Sequence, residues 1–198
     1  LVHVLARKGW SGLEAAAGIP GSVGGAVVTN AGAHGWAMAD SVAWVDVLEA
    51  DGTSRRRDPA HLAFAYRTSV LKGDARRTVL RVAVRLVRDE PAAVLARVDA
   101  HIARRRATQP TTPSAGSMFK NPAGDYAGRL IEAAGLKGVV AGGAMISPVH
   151  ANFFVNVGGA TTADVLQLVE IARAAVRKAF GVRLELEIET LGARDAVA

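Results

Sequence analysis

Residues 113–122, Pro-Ser-Ala-Gly-Ser-Met-Phe-Lys-Asn-Pro, place a hydroxyl, a cation and an amide between two prolines. Proline fixes φ and has no N–H group, so this segment is predicted to be a shaped loop rather than part of a helix. Ala115 and Gly116 are small enough to let a ligand approach the backbone around Ser117. The serine is a proton donor, a ligand contact or only a turn residue, because serine is also common in ordinary turns.

Three helices are predicted in the second half of the chain. The first begins at Pro91, a favoured first-turn residue. Its apolar stripe consists of Val94, Leu95, Val98 and Ile102. A shorter helix is predicted over residues 126–134. The longest helix begins at Thr161, with Asp164 in the position of a capping box, and ends at Gly181.

Strands are predicted around Val139, over residues 153–157 and, most clearly, over residues 182–191. The alternation in the last segment places three apolar residues on one face and three glutamates on the other. The apolar residues are Leu184, Leu186 and Ile188, and the glutamates are Glu185, Glu187 and Glu189. The acidic face is either a solvated surface or, if one glutamate enters a cleft, a place where like charge and burial favour a neutral carboxylic acid.

The first half of the chain is predicted to contain mainly strands. Valine-rich residues 41–48 followed by Asp51-Gly52 indicate a β-hairpin. Residues 78–87 alternate, which predicts a half-buried strand. Its inward residues are expected to be Leu80, Val82, Val84 and Leu86. Asp89-Glu90-Pro91 ends this strand, so the domain boundary is predicted after Glu90.

Glycine is dense in residues 18–26, Gly-Ile-Pro-Gly-Ser-Val-Gly-Gly-Ala, and in residues 30–35, Asn-Ala-Gly-Ala-His-Gly. Regular secondary structure is expected to stop there. Backbone N–H groups that are presented this closely suit a pyrophosphate, although the pattern is neither GxGxxG nor a P-loop. The alternative is a tight glycine-rich bend between packed elements.

The 198 residues are 50% hydrophobic and carry a formal net charge of +6, which is compatible with one large or two small globular domains. The charge favours an anionic partner such as nucleic acid, a membrane surface or a phosphorylated small molecule. The arginine runs at residues 55–57 and 104–106 have no interleaved aromatic residues, so base stacking is disfavoured and solvated faces are expected.

The absence of cysteine excludes disulfides, thiolate metal sites and a cysteine nucleophile. The five histidines show no paired metal-ligand spacing, so no metal site is predicted. No apolar run approaches the ~20 residues that span a bilayer. The chain starts at Leu1 with neither an initiator methionine nor a signal-peptide pattern, and it is expected to be a piece of a longer protein.

Four motifs, in the same order, resemble the UDP-N-acetylenolpyruvoylglucosamine reductase (MurB) family. They are the glycine-rich residues 18–35, Tyr-Arg-Thr-Ser at 66–69, Ala-Gly-Ser-Met-Phe-Lys-Asn-Pro at 115–122 and Leu-Glu-Leu-Glu-Ile at 184–188. The resemblance implies an α+β protein. Residues 1–90 would be the second part of a FAD-binding domain of the vanillyl-alcohol-oxidase (PCMH) type, and residues 91–198 the substrate-binding domain. The family's first FAD-binding lobe is expected upstream of Leu1.

The resemblance implies a cytoplasmic bacterial flavoenzyme of peptidoglycan synthesis. Such an enzyme uses FAD and NADPH to reduce the enolpyruvyl ether of a UDP-sugar to UDP-N-acetylmuramate. A monomer without a nucleic-acid or membrane partner is implied. The alternative from another class is a non-catalytic, basic nucleic-acid-binding or scaffold module, which would be colourless and would bind RNA or DNA with a steep salt dependence.

The site residues are implied by the same resemblance. Arg67 matches the arginine that binds the substrate carboxylate, Glu187 matches the active-site glutamate, and Ser117 matches the proton donor to carbon. The implied substrate contacts are Tyr66, Lys120, Asn121 and His34. The implied cofactor contacts are Gly18, Ile19, Pro20, Gly21, Ser22, Gly24, Gly25, Ala26, Asn30 and Gly32. Met145 and Val149 depart from the glutamine and lysine that are common in the family, so no contact is implied for that loop.

Overall fold

The computed structural model describes residues 1–191, which form helices and mostly antiparallel strands. The helices are α1 (Val2–Arg7), α2 (Val23–Val28), α3 (Met38–Ser41), α4 (Pro91–Thr108), α5 (Ala127–Ala133) and α6 (Thr162–Phe180). The strands are β1 (Trp10–Ser11), β2 (Gly32–Ala33), β3 (Trp36–Ala37), β4 (Val42–Leu48), β5 (Ser54–Arg57), β6 (Thr78–Val84), β7 (Val87–Arg88), β8 (Ser114–Ser117), β9 (Val140–Ala141), β10 (Ala144–Ile146) and β11 (Phe153–Asn156). In this part of the chain, no helix has both the length and the apolar character that a membrane crossing requires.

The first of two compact units, Leu1–Arg105, contains an antiparallel sheet in the order β5-β4-β6. The predicted hairpin is confirmed, since β4 and β5 pair from Leu48 and Ser54 onward across the Asp51-Gly52 turn. The core of this sheet consists of Val27, Met38, Val42, Val45, Val47, Leu62 and Leu71. Short ladders β1-β7 and β2-β3 lie in the same unit.

Strand β6 differs from its predicted inward face at one residue. Leu80 is 50% exposed, whereas its neighbour Val79 packs on the core. Asp46 pairs with Arg81 but the next residue, Val47, pairs with Val79, so Leu80 is the extra residue of a β-bulge. The prediction that Leu80 faces inward is therefore wrong, because the bulge interrupts the two-residue alternation.

The arginine run at residues 55–57 is ion-paired. Arg55 pairs with Asp51 at 3.2 Å, Arg56 with Asp46 at 2.9 Å and Arg57 with Glu49 at 2.7 Å. Asp46 is 4% exposed and also pairs with Arg81 at 2.8 Å. These guanidinium groups neutralise carboxylates along the sheet, so the run contributes less free positive charge than its sequence indicates.

The glycine-rich stretch contains a helix, contrary to prediction. Helix α2 follows Ser22, whose Oγ accepts the N–H of Gly25 at 3.0 Å and caps the first turn. Val27 in this helix is completely buried in the core of the first unit. The cap and the burial offset the unfavourable helix propensity of Gly24 and Gly25.

The second unit, from Arg106 onward, is built on an antiparallel sheet in the order β8-β11-β10-β9. Helices α5 and α6 contribute Leu130, Ile131, Leu168, Val169, Ala172 and Val176 to its core. The predicted capping box of α6 is confirmed: Thr161 Oγ1 accepts the N–H of Asp164 at 3.2 Å, and Asp164 Oδ2 accepts the N–H of Thr161 at 2.9 Å. Gly181 ends the helix, as predicted.

Residues 182–191 do not form the predicted strand. Leu186 forms an isolated antiparallel bridge with Phe119, and no longer ladder involves this segment within residues 1–191. The predicted apolar face is confirmed, since Leu184, Leu186 and Ile188 pack on the core of the second unit. The alternation of apolar and acidic residues thus predicted which side chains face inward. It did not predict how many of these residues would pair with a neighbouring strand.

Most of helix α4 belongs to the first compact unit. The two units therefore divide after Arg105, whereas the sequence predicts a domain boundary after Glu90. Val94 and Val98 are buried with Ala6 and Ala17 of the first unit, which therefore extends to Arg105. The domain boundary predicted after Glu90 stays a prediction. Residues 192–198, which the predicted second domain includes, lie outside the described residues.

Candidate active site

Ser117 is the last residue of β8, and its backbone pairs with Phe153 of β11. After Ser117 the strand pairing ends, and Asn152 supplies the hydrogen bonds that a neighbouring strand would otherwise make. Its carbonyl oxygen accepts the N–H of Met118 at 2.8 Å. Its side-chain Oδ1 accepts the N–H of Phe119 at 2.9 Å, and its Nδ2 donates to the carbonyl of Phe119 at 2.8 Å. The main chain of the loop that follows the serine is therefore fixed by both the backbone and the side-chain amide of Asn152.

Glu187 lies against the other edge of the same segment. Its N–H group donates to the carbonyl oxygen of Met118 at 2.9 Å. The side chain of Glu187 is half-buried, whereas those of Glu185 and Glu189 are exposed. The second unit thus brings Ser117 and Glu187 to adjoining backbone positions, and burial distinguishes Glu187 among the three glutamates.

Lys120 and Asn121 hold the C-terminal end of the Ser117 loop. The N–H of Lys120 donates to the carbonyl oxygen of Glu185 at 2.9 Å, and its Nζ lies 3.4 Å from Glu185 Oε2. Asn121 Oδ1 accepts the N–H of Ala127, the first residue of α5, at 3.1 Å. Both residues have structural contacts, and their roles in substrate binding stay predictions.

A cavity of about 430 Å³ in the second unit lies beside this site rather than in it. It is bordered by residues 113–115 of β8 and its approach, by α6 and by residues 188–191. Neither Ser117 nor Glu187 lines it. The candidate site therefore rests on the backbone contacts of Met118 and Phe119 and not on this cavity.

Tyr66 and Arg67 occupy the tip of a tight turn in the first unit. Ala65 and Thr68 exchange backbone hydrogen bonds of 3.1 and 3.2 Å on either side of them. Arg67 has φ of +57°, in the left-handed region that is uncommon for residues other than glycine. Its guanidinium carbon lies 5.1 Å from the centre of the Tyr66 ring, and its Nη2 donates to the carbonyl of Gly32 at 2.9 Å. Backbone strain of this kind is concentrated at functional sites.

Two buried polar side chains fasten this turn to the glycine-rich stretch. Asn30 Nδ2 donates to the carbonyl of Ala65 at 2.9 Å, and Asn30 Oδ1 accepts the N–H of Ala39 at 3.0 Å. Ser69 Oγ donates to the carbonyl of Val28 at 2.7 Å. The amide of Asn30 is thus engaged within the protein, and its contact with a cofactor stays a prediction. Ser69 was missed as a supporting residue.

The glycine-rich residues border a cavity of about 260 Å³ in the first unit. Its lining includes Gly18, Ile19, Pro20, Gly21, Ser22, Val23 and Ala26, with Leu13, Trp36 and Met38. Gly24, Gly25, Asn30 and Gly32 do not line it. At Gly32 a Cβ atom would lie 2.6 Å from the carbonyl oxygen of Trp36, so only glycine fits between β2 and β3.

Arg105 is a candidate site residue that the sequence analysis missed. A Cβ atom on Gly18 would lie 3.0 Å from both Cδ and Nε of Arg105, so the half-buried side chain lies against the glycine-rich stretch. Burial lowers the pKa of Arg105 from its ordinary value. Within residues 1–191 this arginine has no acidic partner. The only signal for Arg105 in the sequence was the arginine run at residues 104–106. The run alone does not indicate which of its three arginines faces inward.

His34 belongs to the same positively charged region. Its ring stacks on His101 with 4.7 Å between ring centres, and its φ of +54° lies in the left-handed region. Partial burial, followed by the positive charges of His101, Arg104 and Arg105, lowers the pKa of His34. His34 therefore contributes little charge near neutral pH, and its contact with the substrate stays a prediction.

Comparisons with known proteins cover both units. Residues 109–191 match the model of the UDP-N-acetylenolpyruvoylglucosamine reductase C-terminal domain, and residues 1–57 match that of a FAD binding domain. The crystal structure of UDP-N-acetylenolpyruvylglucosamine reductase (MurB) from Thermus caldophilus is similar with a TM-score of 0.85 and 44% identity, over 95% of this chain and 67% of that one. This chain belongs to the MurB family.

Two further MurB relatives match almost the whole of this chain. UDP-N-acetylenolpyruvoylglucosamine reductase 2 of Symbiobacterium thermophilum is 50% identical over 193 residues, which are 97% of this chain and 62% of that protein. The reductase of Moorella thermoacetica is 49% identical over 193 residues, which are 97% of this chain and 63% of that protein. The chain thus spans somewhat less than two thirds of the length of these relatives.

The predicted fold class is confirmed by these matches. The MurB chain is an α+β protein in which part of a FAD-binding domain precedes the MurB C-terminal domain. Ser117 and Glu187 lie within the matched C-terminal domain, and residues 18–32 lie within the matched FAD-binding part. Arg67 lies between the two matched ranges.

Proposed function

We propose that this MurB chain uses FAD and NADPH to reduce the enolpyruvyl ether of UDP-N-acetyl-3-O-(1-carboxyvinyl)-glucosamine to UDP-N-acetylmuramate, a step of peptidoglycan synthesis. The reaction belongs to the bacterial cytoplasm, where NADPH and nucleotide sugars are found. One observation carries the proposal. Met118 directly follows Ser117, the proposed proton donor, and its carbonyl oxygen accepts the backbone N–H of Glu187, the proposed acid.

Ser117 supplies the proton in this reaction. When bound, FAD would supply the hydride, which originates from NADPH, for the terminal alkene carbon of the substrate. The addition leaves negative charge on the carbon next to the carboxylate, and this charge spreads onto the carboxylate oxygens. Ser117 Oγ donates its proton to that carbon and recovers one from solvent. The product has then gained one hydride and one proton.

Arg67 and Glu187 stabilise the negative charge that develops before the proton is transferred. A guanidinium binds a carboxylate through two parallel hydrogen bonds, which suits the planar group of Arg67. Glu187 helps beside an anion only as a protonated acid that donates a hydrogen bond. Glu187 is half-buried, whereas Glu185 and Glu189 are exposed, so Glu187 is the most shielded from solvent of the three glutamates.

The glycine-rich residues fit part of a flavin nucleotide. The cavity beside residues 18–22 is lined mostly by apolar groups, which suit an aromatic ring system. Arg105 against Gly18 offers charge-assisted hydrogen bonds to phosphate. The volume of about 260 Å³ lies below the roughly 300–1,000 Å³ of typical ligand cavities. The cavity therefore suits only a portion of the dinucleotide, against the backbone of residues 18–22. Arg105 does not line the cavity but lies beside it at Gly18, where its guanidinium would bind a phosphate.

The proposal is tested with the purified, flavin-loaded protein. NADPH oxidation should depend on the enolpyruvyl UDP-sugar and should be absent with UDP-N-acetylglucosamine, which lacks the alkene. A flavin-loaded protein that oxidises NADPH equally with both sugars would contradict the proposal. A colourless protein whose affinity for RNA falls steeply with salt would favour the nucleic-acid alternative instead.

A further inference from the structure

Asn152 is a buried polar residue to which the proposed reaction assigns no role. It lies in the turn that precedes β11 and is only 3% exposed. Its own N–H donates to His150 Nδ1 at 3.2 Å, and its carbonyl accepts the N–H of Met118. Its side-chain amide bonds both the N–H and the carbonyl of Phe119. All its hydrogen-bonding groups are therefore engaged, and most of them hold one short segment.

The amide of Asn152 replaces a strand where the sheet ends. The pairing of β8 with β11 ends at Ser117 and Phe153, and the register shifts within this pair of strands. Phe119 is completely buried two residues further on, so its N–H and carbonyl need partners inside the protein. One acceptor and one donor on the same side chain supply them, as a neighbouring strand residue would.

The same segment carries Glu187 on its opposite edge. Met118 receives the N–H of Glu187, while Phe119 forms a bridge with Leu186. We propose that Asn152 is a positioning residue that sets the placement of Ser117 relative to Glu187 by clamping Met118 and Phe119. The effect of Asn152 on catalysis rests on the proposed reductase function. Its effect on the position of Met118 and Phe119 rests on the hydrogen bonds alone.

Asn156, the last residue of β11, provides a matched control. Its Oδ1 accepts the N–H groups of Gly158 and Ala160 at 2.9 and 3.2 Å and so closes a local loop. Neither contact involves the Ser117 loop or residues 185–187. Asn152→Ser and Asn156→Ser therefore remove the same amide group, one just before β11 and one at its end, and the two groups differ in which backbone segment they bind.

The first test is amide hydrogen exchange, which needs no flavin. In Asn152→Ser the amides of Phe119 and Glu187 should exchange faster by on the order of tenfold, as expected for the loss of one or two hydrogen bonds. In Asn156→Ser these two amides should keep their protection. Unchanged protection of Phe119 and Glu187 in Asn152→Ser would overturn the clamp.

The second test separates the two halves of the reaction in the flavin-loaded enzyme. Asn152→Ser should leave flavin reduction by NADPH unchanged and slow reoxidation by the enolpyruvyl sugar by up to about 100-fold, because small displacements of reacting groups have effects of that size. The solvent deuterium isotope effect on reoxidation should rise, since proton donation from Ser117 becomes slower. Asn156→Ser should leave both halves within about twofold of wild type.

A second variant covers the case in which Asn152→Ser does not fold. Asn152→Asp has the same shape and keeps an acceptor for the N–H of Phe119, but in its ionised form, which alkaline pH favours, it has no donor for the Phe119 carbonyl. It should show the same selective loss of reoxidation. Equal slowing of reduction and reoxidation in the folded variant would overturn the positioning role. Absence of substrate-dependent oxidation in wild type would instead contradict the proposed function, while hydrogen exchange would still decide on the clamp.

Discussion

The N–H group of Glu187 donates a hydrogen bond of 2.9 Å to the carbonyl oxygen of Met118, the residue that follows Ser117. A displacement of Met118 therefore moves both the proposed proton donor and the proposed acid. This contact joins two stretches that are far apart in sequence, and the side chain of Glu187 is half-buried beside it. The predictions below test what each of these groups does.

Ser117→Ala should separate the two halves of the reaction. NADPH should still bleach the flavin at a near-normal rate, because that step uses neither the hydroxyl nor the sugar substrate. Reoxidation by the enolpyruvyl sugar should slow by about two to four orders of magnitude, as expected for the loss of a general acid. Stopped-flow absorbance follows both steps. Ser117→Cys, which keeps a transferable proton, should retain more activity, and equal slowing of both steps by alanine would argue for a structural role.

Glu187→Gln should reduce turnover far more than Glu185→Gln or Glu189→Gln. Glu187 is half-buried and its backbone N–H bonds the carbonyl oxygen of Met118, whereas the other two glutamates are exposed. Steady-state rates at saturating substrate, with thermal unfolding as a check on stability, make the comparison. Similar losses in all three variants would indicate a general effect of surface charge and would rule out the specific role of Glu187.

Arg105→Ala should weaken flavin binding by about 10- to 100-fold, since a hydrogen bond to a charged group contributes roughly 1.5–3 kcal/mol. The reason is the position of the half-buried guanidinium against Gly18. Arg106→Ala is the control, because its side chain is exposed. Titration by flavin fluorescence measures both. Equal affinities of the two variants would exclude Arg105 from the cofactor site.

Asp46→Asn should destabilise the protein in a pH-dependent manner. The hydrogen bond from Arg56, with the charges of Arg56 and Arg81, lowers the pKa of Asp46 from its ordinary value despite its burial. A lowered folded-state pKa gives stability that is present above the unfolded value of about 3.9 and is lost as pH falls through the folded value. The urea midpoint of the variant should thus be lower than wild type near neutral pH, and the difference should shrink in acid.

Asp99→Asn is the control for this pH experiment. Asp99 is exposed on α4 and forms no ion pair among the described residues, so its charge contributes little to stability. A difference between wild type and Asp46→Asn that stays constant from neutral to acid pH would show that shape rather than charge at this position stabilises the sheet.

The sequence alone determined the features that depend on neighbours along the chain. Thr161 and Asp164 cap α6 as predicted, because a capping box needs only residues three apart. The Asp51-Gly52 hairpin and the apolar stripe of α4 follow in the same way from turn chemistry and periodicity. The four motifs at residues 18–35, 66–69, 115–122 and 184–188, in that order, were also sufficient to indicate the family to which the chain belongs.

Tertiary structure alone decided which partner each segment meets. The bulge at Leu80 and the single bridge of Leu186 depend on the register and length of another strand. Arg105 differs from the other arginines of its run only because α4 turns it towards Gly18. Asn152 clamps Phe119 from 33 residues away. Register and burial are set by segments distant in sequence, and local patterns contain no information about them.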